Sequence, residues 1–304
     1  MAASPYHSGE LEMQQKTGAA LPAGRNARLI VPYLAPRADR FIAQQTFVMV
    51  STQDGSGQVW TSILAGSAGF IKVIDDQRLV LDERDLHANP ADIFWKNIQA
   101  QAAIGMLFIE PSTRRRYRVN GQVFRKQAQL LITIKQAYVN CPKYIQRRTS
   151  EQTAKSIYSP AAITGTILTK ELQNWITAAD TFYVGSSNNQ HDMDTSHRGG
   201  NPGFVEVINA TSLRIPDYVG NGMYNTLGNF LNYPAAGLLF IDFNAQRTLQ
   251  LSGTAQVQWP APSEIATTNH TVLSWIFKVK EWVILENLKN FTWTFQDYSP
   301  FNPD

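Results

Sequence analysis

Residues 195–204, TSHRGGNPGF, place one cation among glycines and hydrogen-bond donors. Arg198 is preceded by Ser196 and His197 and is followed by Gly199. Arginine binds phosphate through two parallel hydrogen bonds, and glycines let a ligand approach backbone N–H groups that can point at an anion. The segment therefore indicates an anion-binding site, with a solvated surface turn as the alternative.

Residues 216–230, PDYVGNGMYNTLGNF, carry asparagine at every fourth position, namely Asn221, Asn225 and Asn229. If Asn225 begins a helix, its side chain lies near the helix N-terminus, where the dipole and backbone N–H groups favour a phosphate. The alternative is that these asparagines only cap and turn the chain.

Two basic runs precede these segments. Residues 140–148, NCPKYIQRR, set Lys143 beside Tyr144, and a cation next to an aromatic ring can clamp a phosphate or cover a planar ligand. A solvated basic linker is the alternative. The three arginines at 114–116 fall in a predicted hairpin turn, where we expect solvent-exposed side chains.

Motifs of familiar catalytic classes are absent from the sequence: it has no P-loop, no GxSxG elbow and no GxGxxG after a strand. The five histidines show no metal-ligand spacing, so we expect no metal and assign no catalytic residue. The single cysteine, Cys141, cannot form an internal disulfide, which favours a reducing compartment.

The composition is globular, with 43% hydrophobic and 17% charged residues in a 304-residue chain long enough for two domains. A net charge of +3 is not the clustered basic excess of a nucleic-acid-binding protein. No apolar run approaches the roughly 20 residues that a transmembrane helix needs, and residues 1–18 lack the apolar core of a signal peptide. We expect a cytoplasmic protein with no nucleic-acid or membrane partner.

The chain contains two stretches that resemble each other. TFVMVSTQDGSGQVWTSILAGSAGF from residue 46 matches TFYVGSSNNQHDMDTSHRGGNPGF from residue 181. The difference in residue number drifts slowly, from 135 between Phe47 and Phe182 to 132 between Gly121 and Gly253. A strand-and-turn rhythm shared by unrelated β proteins is the alternative. The slow drift favours two diverged copies of one domain.

Short runs rich in Val, Ile, Phe and Thr, separated by Gly and Asp turns, predict strands. In the first copy these strands are 46–52, 57–64, 68–74, 78–82, 104–110, 115–125 and 129–136. A helix is predicted at 90–102, and closure into a barrel would remove exposed sheet edges. We predict a mainly β protein with short helices, in which two tandem split β-barrels pack as an intramolecular pseudo-dimer. Its parts are an N-terminal helix and entry segment packed on barrel 1 (1–40), barrel 1 (41–148), a linker and helix capped by Thr169 (149–178), and barrel 2 (179–304).

These segments resemble the pyridoxamine 5′-phosphate oxidase-like, FMN-binding split-barrel superfamily, and within it the bacterial proteins that carry two barrels in one chain. The matching pieces, which span almost the whole chain, are YHSGELEMQQKTG, GMLFIEPSTRRRYRVNG, AYVNCPKYIQRR, SHRGGNPGF, PDYVGNGMYNTLGN and AGLLFIDF. The resemblance implies an FMN-binding flavoprotein, with the flavin between the barrels and its phosphate held by copy 2. It also implies an FMN-dependent oxidoreductase that uses a small-molecule substrate or an electron donor such as NAD(P)H, and it allows a homodimer.

The resemblance implies that Arg198 holds the phosphate. The other cofactor-binding residues that it implies are Ser196, His197, Gly199, Asn221, Asn225, Lys143 and Tyr144, with Trp60, Thr61 and Ser62 on the opposite wall.

Two departures from the family pattern leave other functions open. Relatives place an arginine where Gly222 or Met223 stands, and the first copy lacks the HRGG series. We therefore expect at most one flavin per chain. The alternatives are a non-catalytic module that binds haem or a deazaflavin or stores flavin, and a pseudo-barrel without a cofactor.

Overall fold

A computed structural model describes residues 4–87, 89–99, 101–152, 161–259, 273–286, 288 and 291–303. Strands account for 48% of the described residues and helices for 19%, which confirms the mainly β prediction. Within the described ranges, no helix is both long and apolar enough to cross a bilayer.

The first half of the molecule is a seven-stranded antiparallel sheet in the order β2-β1-β5-β6-β7-β4-β3. Its strands are β1 (Phe47–Gln53), β2 (Val59–Ala65), β3 (Ile71–Asp75), β4 (Arg78–Asp82), β5 (Ala102–Glu110), β6 (Arg115–Lys126) and β7 (Gln129–Val139). Alternation of apolar and polar residues explains these strands. In β7, Leu130, Ile132 and Ile134 are buried while their neighbours face outward.

The second half repeats this strand order. Its path is β11-β10-β14-β15-β16-β13-β12, with β9 added beside β16. The strands are β9 (Ala162–Gly165), β10 (Thr181–Ser187), β11 (Met193–Gly199), β12 (Glu206–Asn209), β13 (Ser212–Pro216), β14 (Ala235–Asp242), β15 (Arg247–Gln258) and β16 (Ser274–Leu285). A two-stranded sheet joins the halves, because β8 (Arg147–Gln152) pairs with β17 (Phe291–Asp297).

Each sheet wraps its own apolar core, and a third core lies between the halves. In the third core, Met49 and Leu107 of the first half pack with Tyr183 and Leu239 of the second. The halves are thus held together by buried apolar surface, which is the dominant favourable term in association.

The two halves approach each other through equivalent pairs of residues. Thr61 Oγ1 donates to the carbonyl of Gly237 at 3.0 Å, and Thr195 Oγ1 donates to the carbonyl of Gly105 at 2.8 Å. A Cβ atom on either glycine would lie 2.7 Å from backbone of the opposite half. The contacts are reciprocal, because each half donates a threonine hydroxyl to the equivalent glycine carbonyl of the other.

The strand registers correct the repeat alignment by one residue. Val50 pairs with Met106, and Val184 pairs with Leu238. Equivalent residues of β1 and β10 therefore differ by 134 in residue number, so Phe182 corresponds to Val48 rather than to Phe47. The physical reason is the two-residue side-chain period of a strand, since a slip of one residue exchanges the two faces.

The helices lie at the ends of the sheets and around the interface. They are α1 (Ser8–Lys16), α2 (Ala20–Asn26), α3 (Ala38–Ala43), α4 (Ile93–Asn97), α5 (Lys170–Ala178) and α6 (Asn225–Asn232). Thr169 caps α5 as predicted, with Leu172 N–H donating to its hydroxyl. The helix predicted at 90–102 is only α4, because Asp92 caps it late and β5 begins at Ala102.

Helix α1 packs on α6 of the second half, and α3 packs against β3 of the first half. The crossing of α1 and α6 is close because both helices carry a glycine there. A Cβ on Gly9 would overlap the carbonyl oxygen of Gly228, and one on Gly228 would lie 2.6 Å from Glu10 Cα. The N-terminal segment, predicted to pack on barrel 1, is therefore divided between the two halves.

Candidate functional site

A cavity of about 90 Å³ opens where β6 of the first half faces β11 of the second. We call it the anion pocket. Its floor carries Arg116 and Arg118 from β6 and Arg198 from β11, and the first turn of α6 forms one side. Three guanidinium groups from both halves therefore meet in one cleft.

Arg118 is the most firmly held of the three arginines, with only 5% of its surface exposed. It donates to Ser196 Oγ at 2.5 Å and to Asn225 Oδ1 at 3.1 Å, and pairs with Asp194 at 3.1 Å. The Asp194 carboxylate raises the pKa of Arg118 against the opposing effect of burial. Arg118 thus links β6, β11 and α6.

Arg116 has no such carboxylate. Among the described residues its guanidinium forms no ion pair, and its neighbours are His197 Nδ1 at 3.4 Å and Cys141 Sγ at 3.7 Å. Its Nε atom is buried without a hydrogen-bond partner. Burial, and to a smaller extent Arg118 and Arg198, lowers the pKa of Arg116 to about 10. An anion in the pocket would relieve this uncompensated charge.

Arg198 is paired more loosely. Its guanidinium lies 3.4 Å from Asp217, and its buried Nε has no hydrogen-bond partner. Burial lowers the pKa of Arg198, and Asp217 partly offsets this. Since Arg116 and Arg198 both retain unused donors, the pocket offers hydrogen bonds that a phosphate could accept.

The neighbours of Arg198 have mixed roles. Ser196 accepts from Arg118 and from the Thr226 hydroxyl at 3.0 Å. Burial and the surrounding arginines lower the pKa of His197 well below its usual value, so its imidazole is neutral and adds no positive charge to the pocket. Gly199 allows the first-half tail to dock, because a Cβ there would overlap the carbonyl oxygen of Tyr144.

Helix α6 begins at Asn225, which is the condition for a phosphate site at its N-terminus, directly after Tyr224 in the left-handed region (φ 59°). The first turn of α6 lines the anion pocket, where backbone N–H groups and the helix dipole favour a negative charge. Asn221 also lines the pocket, and its amide donates to Asn140 Oδ1 at 2.8 Å.

Lys143 and Tyr144 lie at the mouth of the pocket. Tyr144 has a left-handed backbone (φ 66°), its hydroxyl donates to Val219 O at 2.9 Å, and its ring centroid is 5.2 Å from that of Tyr218. The Lys143 ammonium lies 5.5 Å from the Phe301 ring. This part of the cleft combines aromatic surface with positive charge.

Three residues implied by the resemblance do not reach the anion pocket. Trp60 lines a separate cavity; Thr61 contacts Gly237, and Ser62 Oγ donates to Asp92 at 2.6 Å. With the corrected register, Thr61 and Ser62 correspond to Thr195 and Ser196, so they lie on the opposite side of the interface. They are buried there at the position equivalent to the anion pocket, which we call the equivalent cleft.

The equivalent cleft lacks the cations of the anion pocket. In the positions of Arg116, Arg118 and Arg198 it has Thr248, Gln250 and Leu64. Gln250 Nε2 donates to Ser62 Oγ at 2.8 Å and to Asp92 Oδ1 at 3.2 Å, and burial raises the pKa of Asp92. A buried cluster around the Asp92 carboxyl therefore occupies the place where the other cleft gathers arginines.

The sequence analysis does not assign Arg116 and Arg118 to the site, and its expectation of solvent-exposed side chains at 114–116 holds only for Arg115. Arg115 pairs with Glu110 at 2.7 Å. Arg114 is half-buried and donates to the Ile145 carbonyl at 2.8 Å, and Arg116 lines the anion pocket. The available signal was alternation, since residues two apart on a strand share a face.

Among the described residues, no group of three or more His, Cys, Asp or Glu side chains is placed to hold a metal ion. No protein-family model matches the chain, and no curated protein matches it.

Solved structures show weak similarity to parts of the chain. A putative pyridoxamine 5′-phosphate oxidase from Lactobacillus delbrueckii is 14% identical, over 39% of this chain and 94% of that one, with a TM-score of 0.32. The haem storage protein HutZ from Vibrio cholerae is 10% identical, over 37% and 89%, with a TM-score of 0.27. A haem-binding protein from Mycobacterium smegmatis is 13% identical, over 40% and 57%, with a TM-score of 0.26.

Proposed function

We propose that the protein is a flavoprotein that binds FMN through its phosphate in the anion pocket. The observation that carries this proposal is the convergence of Arg116, Arg118 and Arg198, each with a buried Nε donor left unpaired. Buried cations without counter-ions are costly unless a ligand supplies the charge. A phosphate group is small, doubly charged and rich in acceptors, which matches these requirements.

The volume of the anion pocket suits the phosphate group of FMN rather than the whole cofactor. About 90 Å³ is well below the roughly 300–1,000 Å³ of a pocket that encloses a whole small molecule. The remainder of the cofactor would extend past the mouth, where Tyr144 and Tyr218 offer aromatic faces and Lys143 a positive charge.

The proposed activity is an FMN-dependent oxidation or reduction with a small-molecule substrate or an electron donor such as NAD(P)H. Bound FMN would supply the hydride or electron chemistry. The chain's part is to bind and orient: the arginines fix the phosphate, and the first turn of α6 adds its dipole. We assign no acid or base on the protein to this reaction.

The proposed stoichiometry is one FMN per chain. The equivalent cleft presents Thr248, Gln250 and Leu64 in place of the three arginines, and its buried Asp92 disfavours an anion. The same strand order in both halves also supports, as a proposal, a tandem-barrel member of the pyridoxamine 5′-phosphate oxidase-like superfamily.

The experiment is a titration of the purified, ligand-free protein with FMN, followed by flavin absorbance and fluorescence and by equilibrium dialysis. We expect saturation at one FMN per chain. No uptake at micromolar protein and excess FMN would remove the proposal. A parallel titration with haem identifies the alternative, because a Soret band without flavin uptake would favour a haem-binding module.

A further inference from the structure

A second cavity, of about 380 Å³, shares Asn225 with the anion pocket. We call it the acceptor cavity. Glu10 of α1, Asn120 of β6, Tyr138 of β7 and Asp194 of β11 contribute to its lining. Its volume falls within the roughly 300–1,000 Å³ of small-molecule pockets, and the proposed flavin phosphate site does not use it.

Asn120, which lines the acceptor cavity, has a buried side-chain oxygen that lacks a donor. Asn120 is 7% exposed, and its amide nitrogen donates to Asp194 Oδ1 at 3.1 Å, which fixes the orientation of the amide group. Asn120 Oδ1 then has no hydrogen-bond partner. A buried unpaired acceptor costs about 1–3 kcal/mol, so a ligand N–H in this cavity would be stabilised by it.

Of the described carboxylates at the acceptor cavity, Glu10 is the one without a lysine or arginine partner. Lys135 pairs with Asp192 at 2.6 Å, and Asp194 is paired with Arg118. Glu10 accepts from His7 N–H at 2.8 Å and from the Asn225 amide. Within the described part of the chain, no lysine or arginine lies at ion-pair distance from Glu10. The His7 imidazole lies 3.4 Å from the Glu10 carboxylate, but burial lowers the pKa of His7 and so disfavours its charged form.

We propose that the acceptor cavity binds a small organic ammonium ion, whose N–H groups donate to Glu10 and to Asn120 Oδ1. The side chains already present supply acceptors and, when Glu10 is ionised, a negative charge without a lysine or arginine partner among the described residues, and an alkylammonium supplies donors and a positive charge. A neutral alcohol of the same size lacks the charge and is a poor match for the site.

The binding is linked to the ionisation of Glu10. Burial raises the pKa of Glu10 to about 7. The titratable or charged groups that face it are Tyr6, His7, Arg118, Tyr138 and Asp194. An ammonium ion favours the ionised carboxylate, so its affinity rises with pH, by about tenfold between pH 6 and pH 8 for a group that titrates near 7.

The test is calorimetric titration of the full chain with n-butylammonium chloride, in the absence of FMN and in a constant sodium chloride background. We expect saturable binding at pH 8 and about tenfold weaker binding at pH 6. Glu10→Gln should weaken binding at pH 8 about tenfold or more and remove the pH dependence. Glu12→Gln, on the exposed side of the same helix, should behave as the wild type.

Three results would overturn the proposal: no binding to the folded wild type at pH 8, equal binding of n-butanol, or equal affinity of the Glu10→Gln variant. If Glu10→Gln fails to fold, Asn120→Leu tests the same binding site. It should weaken n-butylammonium binding about tenfold, the effect of losing one hydrogen bond to a charged donor, and unchanged affinity would contradict the site.

Discussion

Replacing Arg116 with methionine should stabilise the ligand-free protein and weaken FMN binding at the same time. Arg116 is the cation of the anion pocket with no carboxylate among the described residues and with an unpaired buried Nε. Methionine keeps much of the length and apolar volume of the side chain while removing the charge. The two effects have opposite signs because the charge costs free energy without the phosphate and contributes with it.

The magnitudes follow from the pKa and from the lost hydrogen bonds. Burial lowers the pKa of Arg116 to about 10, which corresponds to roughly 3 kcal/mol against the charged form, relative to a solvated guanidinium, at about 1.4 kcal/mol per pH unit. Partial contact with solvent reduces this, so we expect a gain of about 1–2 kcal/mol in unfolding free energy. Loss of a charge-assisted bond to phosphate costs about 1.5–3 kcal/mol, or roughly 10- to 150-fold in Kd.

Urea denaturation gives the first quantity, and FMN fluorescence titration gives the second. Arg40→Met is the matched control, because it makes the same change in charge and side chain at an exposed position of α3. It should leave FMN affinity unchanged. An Arg116→Met protein that is less stable than the wild type and binds FMN equally well would refute the reasoning.

Three further predictions concern the packing around the site. For Glu10, whose pKa burial raises from 4.5 to about 7, folding favours the protonated form. The stabilisation that this preference gives the folded protein is fully present below about pH 4.5 and is lost as pH rises through 7. The unfolding free energy of the wild type, measured by urea denaturation, should therefore fall by roughly 3 kcal/mol relative to that of Glu10→Gln between pH 4 and pH 8. Gly228→Ala, whose Cβ would lie 2.6 Å from α1 backbone, should cost about 1–3 kcal/mol, whereas Gly24→Ala in open space should stabilise the protein by about 0.4–1 kcal/mol in thermal melts. Asp180→Asn should cost about 3–5 kcal/mol, because it leaves Arg148, paired with Asp180 at 2.5 Å, buried without its partner; an unchanged unfolding midpoint would contradict this.

Local patterns predicted the elements well. The strand expected at 129–136 is β7 (Gln129–Val139), and the helix expected after Thr169 is α5. Both depend on neighbouring residues alone, through two-residue alternation in the strand and side-chain capping in the helix. Arg198 could also be assigned to the anion pocket, because its glycine-rich surroundings are a local signal.

Residues that meet across the two halves could not be predicted in the same way. Matching Phe47 to Phe182 maximised sequence similarity, but the register pairs Phe182 with the position of Val48. Thr61 and Ser62 were assigned to the same cleft as Arg198, but they lie on the other side of the interface. Pseudo-symmetry places equivalent residues of the two halves on opposite sides of it. Arg116 shares a strand face with Arg118, but the sequence alone does not show which surface that face meets.

The most direct test of the central claim compares FMN with riboflavin, which has the same ring system but no phosphate. If the anion pocket anchors the cofactor through Arg116, Arg118 and Arg198, one FMN should bind per chain. Riboflavin should then bind at least 100-fold more weakly, about 2.7 kcal/mol, and inorganic phosphate should compete with FMN. Equal affinities for FMN and riboflavin, or two equivalent FMN sites per chain, would contradict the account.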